Sequence, residues 1–200
     1  MKKTILLFAV CLCAAACQTL PTSSEYLARG DGYFKDGKIE QALKAYDKAL
    51  ALNPDRTDIY ASRGAAYFFK GDYVSAQNDF LTVVEKNPYQ ADAYTALGSA
   101  LAALGDYDNA LKMFSISLNL NPSKPETFFS RGGVFFMQEE YDKAIADYTS
   151  VILLAPAAEV YNARGAAYLK KGDTAKAEDD FNVAKGGRFP EKLNEYSMID

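Results

Sequence analysis

Apolar and small residues return along this chain at a near-constant interval. Gly30, Gly64, Gly98, Gly132 and Gly165 recur about every 34 residues, the period of a stacked helical unit. Four residues before each glycine is an aromatic: Tyr26, Tyr60, Tyr94, Phe128 and Tyr161. Three residues after it comes Tyr33, Tyr67, Leu101, Phe135 or Tyr168. Further along each unit, always at the same distance from the glycine, stands an alanine: Ala42, Ala76, Ala110, Ala144 and Ala177. Four residues beyond it come Tyr46, Phe80, Phe114, Tyr148 and Phe181. Spacings of three and four place residues on one face of an α-helix, so each unit predicts two helices. Small residues on the facing stripes let the two approach closely. Between them stands Gly37, Gly71, Gly105 or Gly172, a helix-ending residue tolerant of left-handed backbone, often followed by an aspartate suited to cap the next helix. Glu139 takes the place of that glycine in the fourth unit.

With Pro54, Pro88, Pro122 and Pro156 closing the first four units, the pattern resembles the tetratricopeptide repeat (TPR) over residues 23–188. The resemblance implies an all-α, right-handed superhelical solenoid of five helix-turn-helix repeats, spanning about 23–56, 57–90, 91–124, 125–157 and 158–188. A lone helical hairpin cannot cover its own apolar faces, and five exceed the roughly three that such stacking needs. In the 189–200 segment, Glu191 to Met198 reads as a short capping helix whose Leu193 and Tyr196 cover the last repeat edge.

Arginine immediately precedes the glycine in four repeats, at Arg29, Arg63, Arg131 and Arg164, while the third has Leu97. Three of those four also carry aspartate before the second-helix aromatic, at Asp79, Asp147 and Asp180, and the third repeat has Met113 there. Charge accompanies charge, which predicts Arg–Asp bridges between helices, within a repeat or to its neighbour. The first repeat departs from this with Ala45. These arginines are assigned to architecture.

The face of each first helix that the repeat signature does not use lines the concave groove in TPR proteins. Here it carries Leu27, Asp31, Phe34 and Lys35, then Ala61, Ala65, Phe68 and Phe69, then Thr95, Ser99, Ala102 and Ala103. The last two repeats add Phe129, Gly133, Phe136 and Met137, then Asn162, Ala166, Leu169 and Lys170. Small residues make the floor and aromatic residues the edges, which suits an apolar or amphipathic peptide with basic flanks. The competing reading is that these phenylalanines only pack between helices. Asp58, Asp92, Glu126 and Glu159 form an acidic row at the helix starts, where acids also compensate the helix dipole. TPR domains that hold chaperone C-termini use a lysine, asparagine and arginine clamp on this face. Leu27, Asp31 and Ser62 at the corresponding positions argue against one.

The segment 1–16 reads as an export signal to be removed. Lys2 and Lys3 precede an apolar run from Ile5 to Ala16, too short for the roughly 20 residues of a bilayer span. Ala14-Ala15-Ala16-Cys17 resembles a bacterial lipobox, implying acylation of Cys17 and a short linker over 17–22, with Ala14 where leucine is commoner. The same alanines fit an ordinary signal-peptidase site, which would leave a soluble periplasmic or secreted protein. By resemblance to enterobacterial lipoproteins, Gln18 after the cysteine points to the outer membrane. No cysteine follows Cys17, so disulfides do not support the core.

Charge and composition narrow the chemistry. Removing Lys2 and Lys3 leaves 20 basic against 26 acidic side chains, so acyl chains alone must hold the membrane and nucleic acid is not an expected partner. The chain has no histidine, which excludes His-dependent triads and zinc motifs, and no phosphate-cradling glycine loop occurs. An enzyme, a cofactor and a bound metal are therefore not expected. The leading expectation is an envelope scaffold resembling TPR lipoproteins that assist pilus or secretion-system assembly. The alternative is a homodimeric lipoprotein adaptor that tethers periplasmic proteases or cell-wall hydrolases.

Overall fold

A computed structural model describes residues 20–186. Among the described residues all regular structure is helical. Ten helices follow one another as α1 (Ser23–Lys35), α2 (Ile39–Leu52), α3 (Thr57–Lys70), α4 (Tyr73–Lys86), α5 (Ala91–Ala103), α6 (Tyr107–Leu120), α7 (Pro125–Met137), α8 (Tyr141–Leu154), α9 (Ala158–Lys171) and α10 (Thr174–Gly186). They form five hairpins stacked in chain order, each first helix packing on its own second helix and each second helix on the next repeat's first. Contacts therefore run only between neighbours, as in a solenoid. Successive first helices also touch, α1 with α3, α3 with α5 and α5 with α7, which the second helices do not do to a comparable extent. The stack thus closes towards its first helices, and these line the inner side. The expected export signal, Cys17 and the capping helix lie outside the described residues.

Close approach inside a hairpin depends on the repeated glycine. A Cβ placed on Gly98 would stand 2.7 Å from a ring carbon of Phe114, and one on Gly64 would stand 2.8 Å from Phe80. Each ring belongs to the second helix of the same repeat as its glycine. Phe114 is fully buried in a cluster with Phe80, Leu97, Leu101 and Val134 that joins three repeats. Smaller clusters centred on Tyr46 and on Tyr148 serve the two ends.

Helix ends follow the sequence closely. Gly71 stops α3 with φ +85°, a left-handed conformation in which its N–H reaches the carbonyl of Phe68. Glu139 occupies the same place after α7 with φ +62°, where a side chain is strained. Asp72, Asp106 and Asp173 accept backbone N–H bonds from Ser75, Asn109 and Lys176 at the starts of α4, α6 and α10. Thr22 and Glu25 make a reciprocal capping box at the start of α1.

The Arg–Asp bridges form, and within the repeat. The Nε and Nη2 of Arg63 donate to the two carboxylate oxygens of Asp79, both at 2.8 Å. Arg131 grips Asp147 at 2.8 and 2.7 Å, and Arg164 grips Asp180 at 2.9 and 2.8 Å. The remaining Nη1 reaches back to the preceding repeat, to Asp47 from Arg63 and to Thr149 from Arg164. Each guanidinium also lies between two rings of its own helix, such as Tyr60 and Tyr67 beside Arg63. Where Leu97 replaces the arginine, Leu101 replaces the second ring and Met113 the aspartate, so a whole polar set becomes apolar together.

Candidate functional site

On the inner side the fold brings together part of the expected groove. Phe34 from α1, Ala65, Phe68 and Phe69 from α3, and Ala96 and Ser99 from α5 surround a cavity of about 360 Å³ floored by Phe80 of α4. Three repeats contribute, and the turn geometry explains how. Gly71 and the close Gly64–Phe80 contact draw α3 down onto α4, which leaves the rings at the end of α3 projecting beside Phe34. Phe34 and Phe69 meet edge to face with centroids 5.9 Å apart. Phe69 is 70% exposed, a large apolar side chain held at the mouth. Ala65, Ala96 and Ser99 leave the space because none projects beyond Cβ by more than one atom.

The other expected groove residues fall in different places. Leu27 is half-buried against the Tyr46 cluster. Phe68 lines the cavity and also stacks edge-on against Tyr73 at 5.2 Å, so it packs and borders at once. Phe136 makes the equivalent contact with Tyr141 at 5.6 Å and packs on the Tyr148 cluster. Phe129 tilts against Tyr148 at 5.6 Å and borders a second depression of about 440 Å³ with Glu126 and Glu159. Met137 and Leu169 are exposed at the ends of α7 and α9 and line neither cavity. The aromatic stripe is thus divided into two separate hollows.

The acidic row is partly neutralised. Asp58 accepts from Nε of the preceding Arg56 at 3.1 Å, and that guanidinium holds its carboxyl below the ordinary carboxylate range. Asp92 pairs with Lys124, which immediately precedes α7. Glu126 and Glu159 remain beside Phe129, which makes the second depression the more acidic one.

Ala96 and Phe80 belong to the Phe34–Phe69 cavity although the sequence pattern alone did not place them there. Ala96 lies three residues before Ser99, on the same helical stripe, and that spacing was the available signal. Phe80 is a signature aromatic whose face is only part covered by its own hairpin. Between the two hollows, Thr95, Ser117 and Thr127 join three helices through hydroxyl hydrogen bonds of 2.7 to 3.3 Å, with Ser117 also donating to the Ala91 carbonyl. These groups satisfy one another in a buried seam and serve packing. No cluster of three or more His, Cys, Asp or Glu side chains suited to a metal occurs among the described residues.

Solved structures of several proteins superpose on this architecture. A MamA crystal structure is similar at 27% identity and TM-score 0.71, covering 78% of this chain and 92% of that one. TTC0263, a thermophilic TPR protein of Thermus thermophilus, is similar at 23% identity and TM-score 0.70, over 82% of this chain and 91% of that one. YrrB, described as a TPR protein with an unusual peptide-binding site, is similar at 24% identity and TM-score 0.65, over 81% and 84%. No curated protein matches the chain in sequence. The TPR repeat model matches residues 30–71 and the tetratricopeptide repeat model residues 62–125 and 129–191. These matches take in most of the chain and all five repeated glycines, and the protein belongs to the tetratricopeptide repeat family, whose members generally serve as non-catalytic scaffolds for protein interaction.

Proposed function

We propose that this protein is a non-enzymatic scaffold of the bacterial cell envelope that binds an apolar or amphipathic segment of a partner protein in the cavity between Phe34, Phe68 and Phe69. The observation that carries the reading is Phe69, exposed at the mouth of a cavity lined almost wholly by rings and small side chains. Such a hollow gains by burying an apolar anchor, at roughly 25 cal/mol for each Å² removed from water. The envelope placement rests on the lysine-led apolar run and on Ala14-Ala15-Ala16-Cys17, with Cys17 lipidated as the anchor. Assistance in assembling a pilus or secretion complex fits such a scaffold. A homodimeric adaptor is the second reading, favoured by the breadth of exposed apolar side chains at Phe69, Met137 and Leu169.

The test replaces Phe69 with a photo-crosslinking phenylalanine analogue in living cells, with the same analogue at Leu153 on α8 as control. Crosslinks from position 69 to an apolar segment of another envelope protein, absent from position 153, are expected. Crosslinks only to a second copy establish the dimer instead, and none at all removes the cavity from consideration. Radiolabelled palmitate incorporated by the wild type and not by Cys17→Ser tests the anchor.

A further inference from the structure

The first repeat lacks the carboxylate that its sister repeats hold, and a pocket stands in its place. Ala45 occupies the position of Asp79, Asp147 and Asp180 and is as deeply buried as they are. Over it opens a cavity of about 220 Å³ between α1 and α2, bordered by Arg29, Lys44, Lys48, Gln41 and Tyr26. None of these residues lines the Phe34–Phe69 cavity. Among the described residues the Arg29 guanidinium meets no carboxylate. It lies 5.5 Å from the centre of the Tyr26 ring, and the Lys48 ammonium lies 5.6 Å from that same ring.

The neighbouring charges change in the same direction. Where the three bridged repeats have Asn78, Ala146 and Asp179, this one has Lys44; where they have Thr82, Ser150 and Val183, it has Lys48. One aspartate is gone and two cations are added around an arginine, with no acid on the pocket wall. Three like charges so close repel one another unless an anion lies among them. The sister repeats show which anion the arginine takes at this spot: a carboxylate, received side-on by Nε and Nη2 at 2.7–2.9 Å.

We propose that this pocket is a receptor for a carboxylate from outside the chain, an aspartate or glutamate side chain of an acidic peptide, which completes the bridge that Ala45 leaves open. The incoming group accepts from Nε and Nη2 of Arg29 as Asp79 does from Arg63. Lys44 and Lys48 hold the charge of the flanking acidic residues, and Gln41 offers an amide at the rim.

The probe is N-acetyl-tetraglutamate amide, titrated against the protein at constant ionic strength while the arginine side-chain N–H signals are followed by NMR. Tetraglutamine amide and inorganic phosphate are run beside it. The Arg29 Nε–H signal is expected to shift saturably with tetraglutamate and not with tetraglutamine. Affinity falls about tenfold or more in Arg29→Gln and in Ala45→Asp, because a charge-assisted pair is lost in one and already satisfied from within in the other. Ala45→Asp keeps every cation and melts no lower than the wild type, so its loss of binding is not a loss of fold. Asn119→Asp adds the same charge at an exposed position of α6 and leaves binding intact. An unmoved Arg29 signal, equal binding by Ala45→Asp and the wild type, an equal loss in Asn119→Asp, or phosphate binding as tightly as tetraglutamate would each overturn the proposal.

Discussion

Arg63 and Asp79 face each other across the second hairpin, joined by two parallel hydrogen bonds of 2.8 Å. The aspartate side chain is only 7% exposed, and hydrogen bonding to it holds the Arg63 guanidinium above its ordinary range, Asp47 adding to the effect. Asp79→Ala leaves a largely buried cation with one partner, and a loss of about 3 kcal/mol is expected by urea denaturation. The double variant Arg63→Leu, Asp79→Met copies the Leu97 and Met113 of the third repeat. It should regain most of that loss, since an apolar pair of similar volume replaces a buried ion pair at little cost. A double variant as weak as the single one would show that the bridge itself, rather than the orphaned charge, sets the stability.

Gly98 and Phe114 test close packing at the centre of the stack. The ring is wholly buried at the centre of the stack, so it has nowhere to withdraw from a methyl group placed 2.7 Å away. Gly98→Ala should destabilise by about 2 kcal/mol despite alanine's better helix propensity. Adding Phe114→Leu to it should cost less than the two single changes summed, a coupling read directly from a double-mutant cycle.

Glu139 is the single non-glycine residue with positive φ among the described residues, in a turn whose four counterparts are glycines. Glu139→Gly removes the steric cost of a left-handed side chain, and a gain of about 1 kcal/mol is expected in thermal or urea melts. An unchanged or lowered midpoint would mean that the Glu139 side chain contributes a compensating interaction.

Stability should be level through neutral pH and fall at both extremes. The chain has no histidine to titrate near neutrality. Asp72, bonded by Ser75, and Asp58, bonded by Arg56, are held below the usual 3.8, so their contribution is complete above about pH 4 and disappears as pH drops through their lowered values. Burial pushes the Tyr148 phenol from 10.0 up to about 12, and hydrogen bonds to Glu40 and Asp55 raise Lys70 and Lys86. The Tyr148 contribution is complete below about pH 10 and is lost as pH rises through about 12, and those of Lys70 and Lys86 are lost as pH rises through their raised values. Circular dichroism melts across the range measure the profile, and a step near neutral pH would contradict it.

How much was legible beforehand differs from residue to residue. Gly98 with Phe114, Gly71, Asp72 and the Arg–Asp pairing were all readable, because each depends on partners within a single repeat or on the local backbone. Periodicity carries that kind of information in a helical repeat, where every unit meets its neighbour in the same way. The sequence leaves open whether Arg63 bridges within its repeat or to the next, and the structure decides for the repeat, with Nη1 kept for Asp47.

The sequence by itself determined five helical hairpins, their close glycine contacts and the candidate inner face, since these follow from spacing. Only the tertiary structure decided which of that face's side chains share a space. Phe34, Phe69 and Ala96 come from different repeats, and they meet through the angle at which hairpins stack. Phe136 carries the same residue type at the same register as Phe68 and makes the same edge contact, with Tyr141, yet it lines neither hollow: Ala102 stands at the register of Phe34 and Met137 at that of Phe69, so the rings that wall the first cavity have no counterpart beside it. The space beside Arg29 is likewise a property of the assembled hairpin: the sequence records that Ala45 is not an aspartate, and the packing of α1 on α2 turns that missing carboxylate into a cavity.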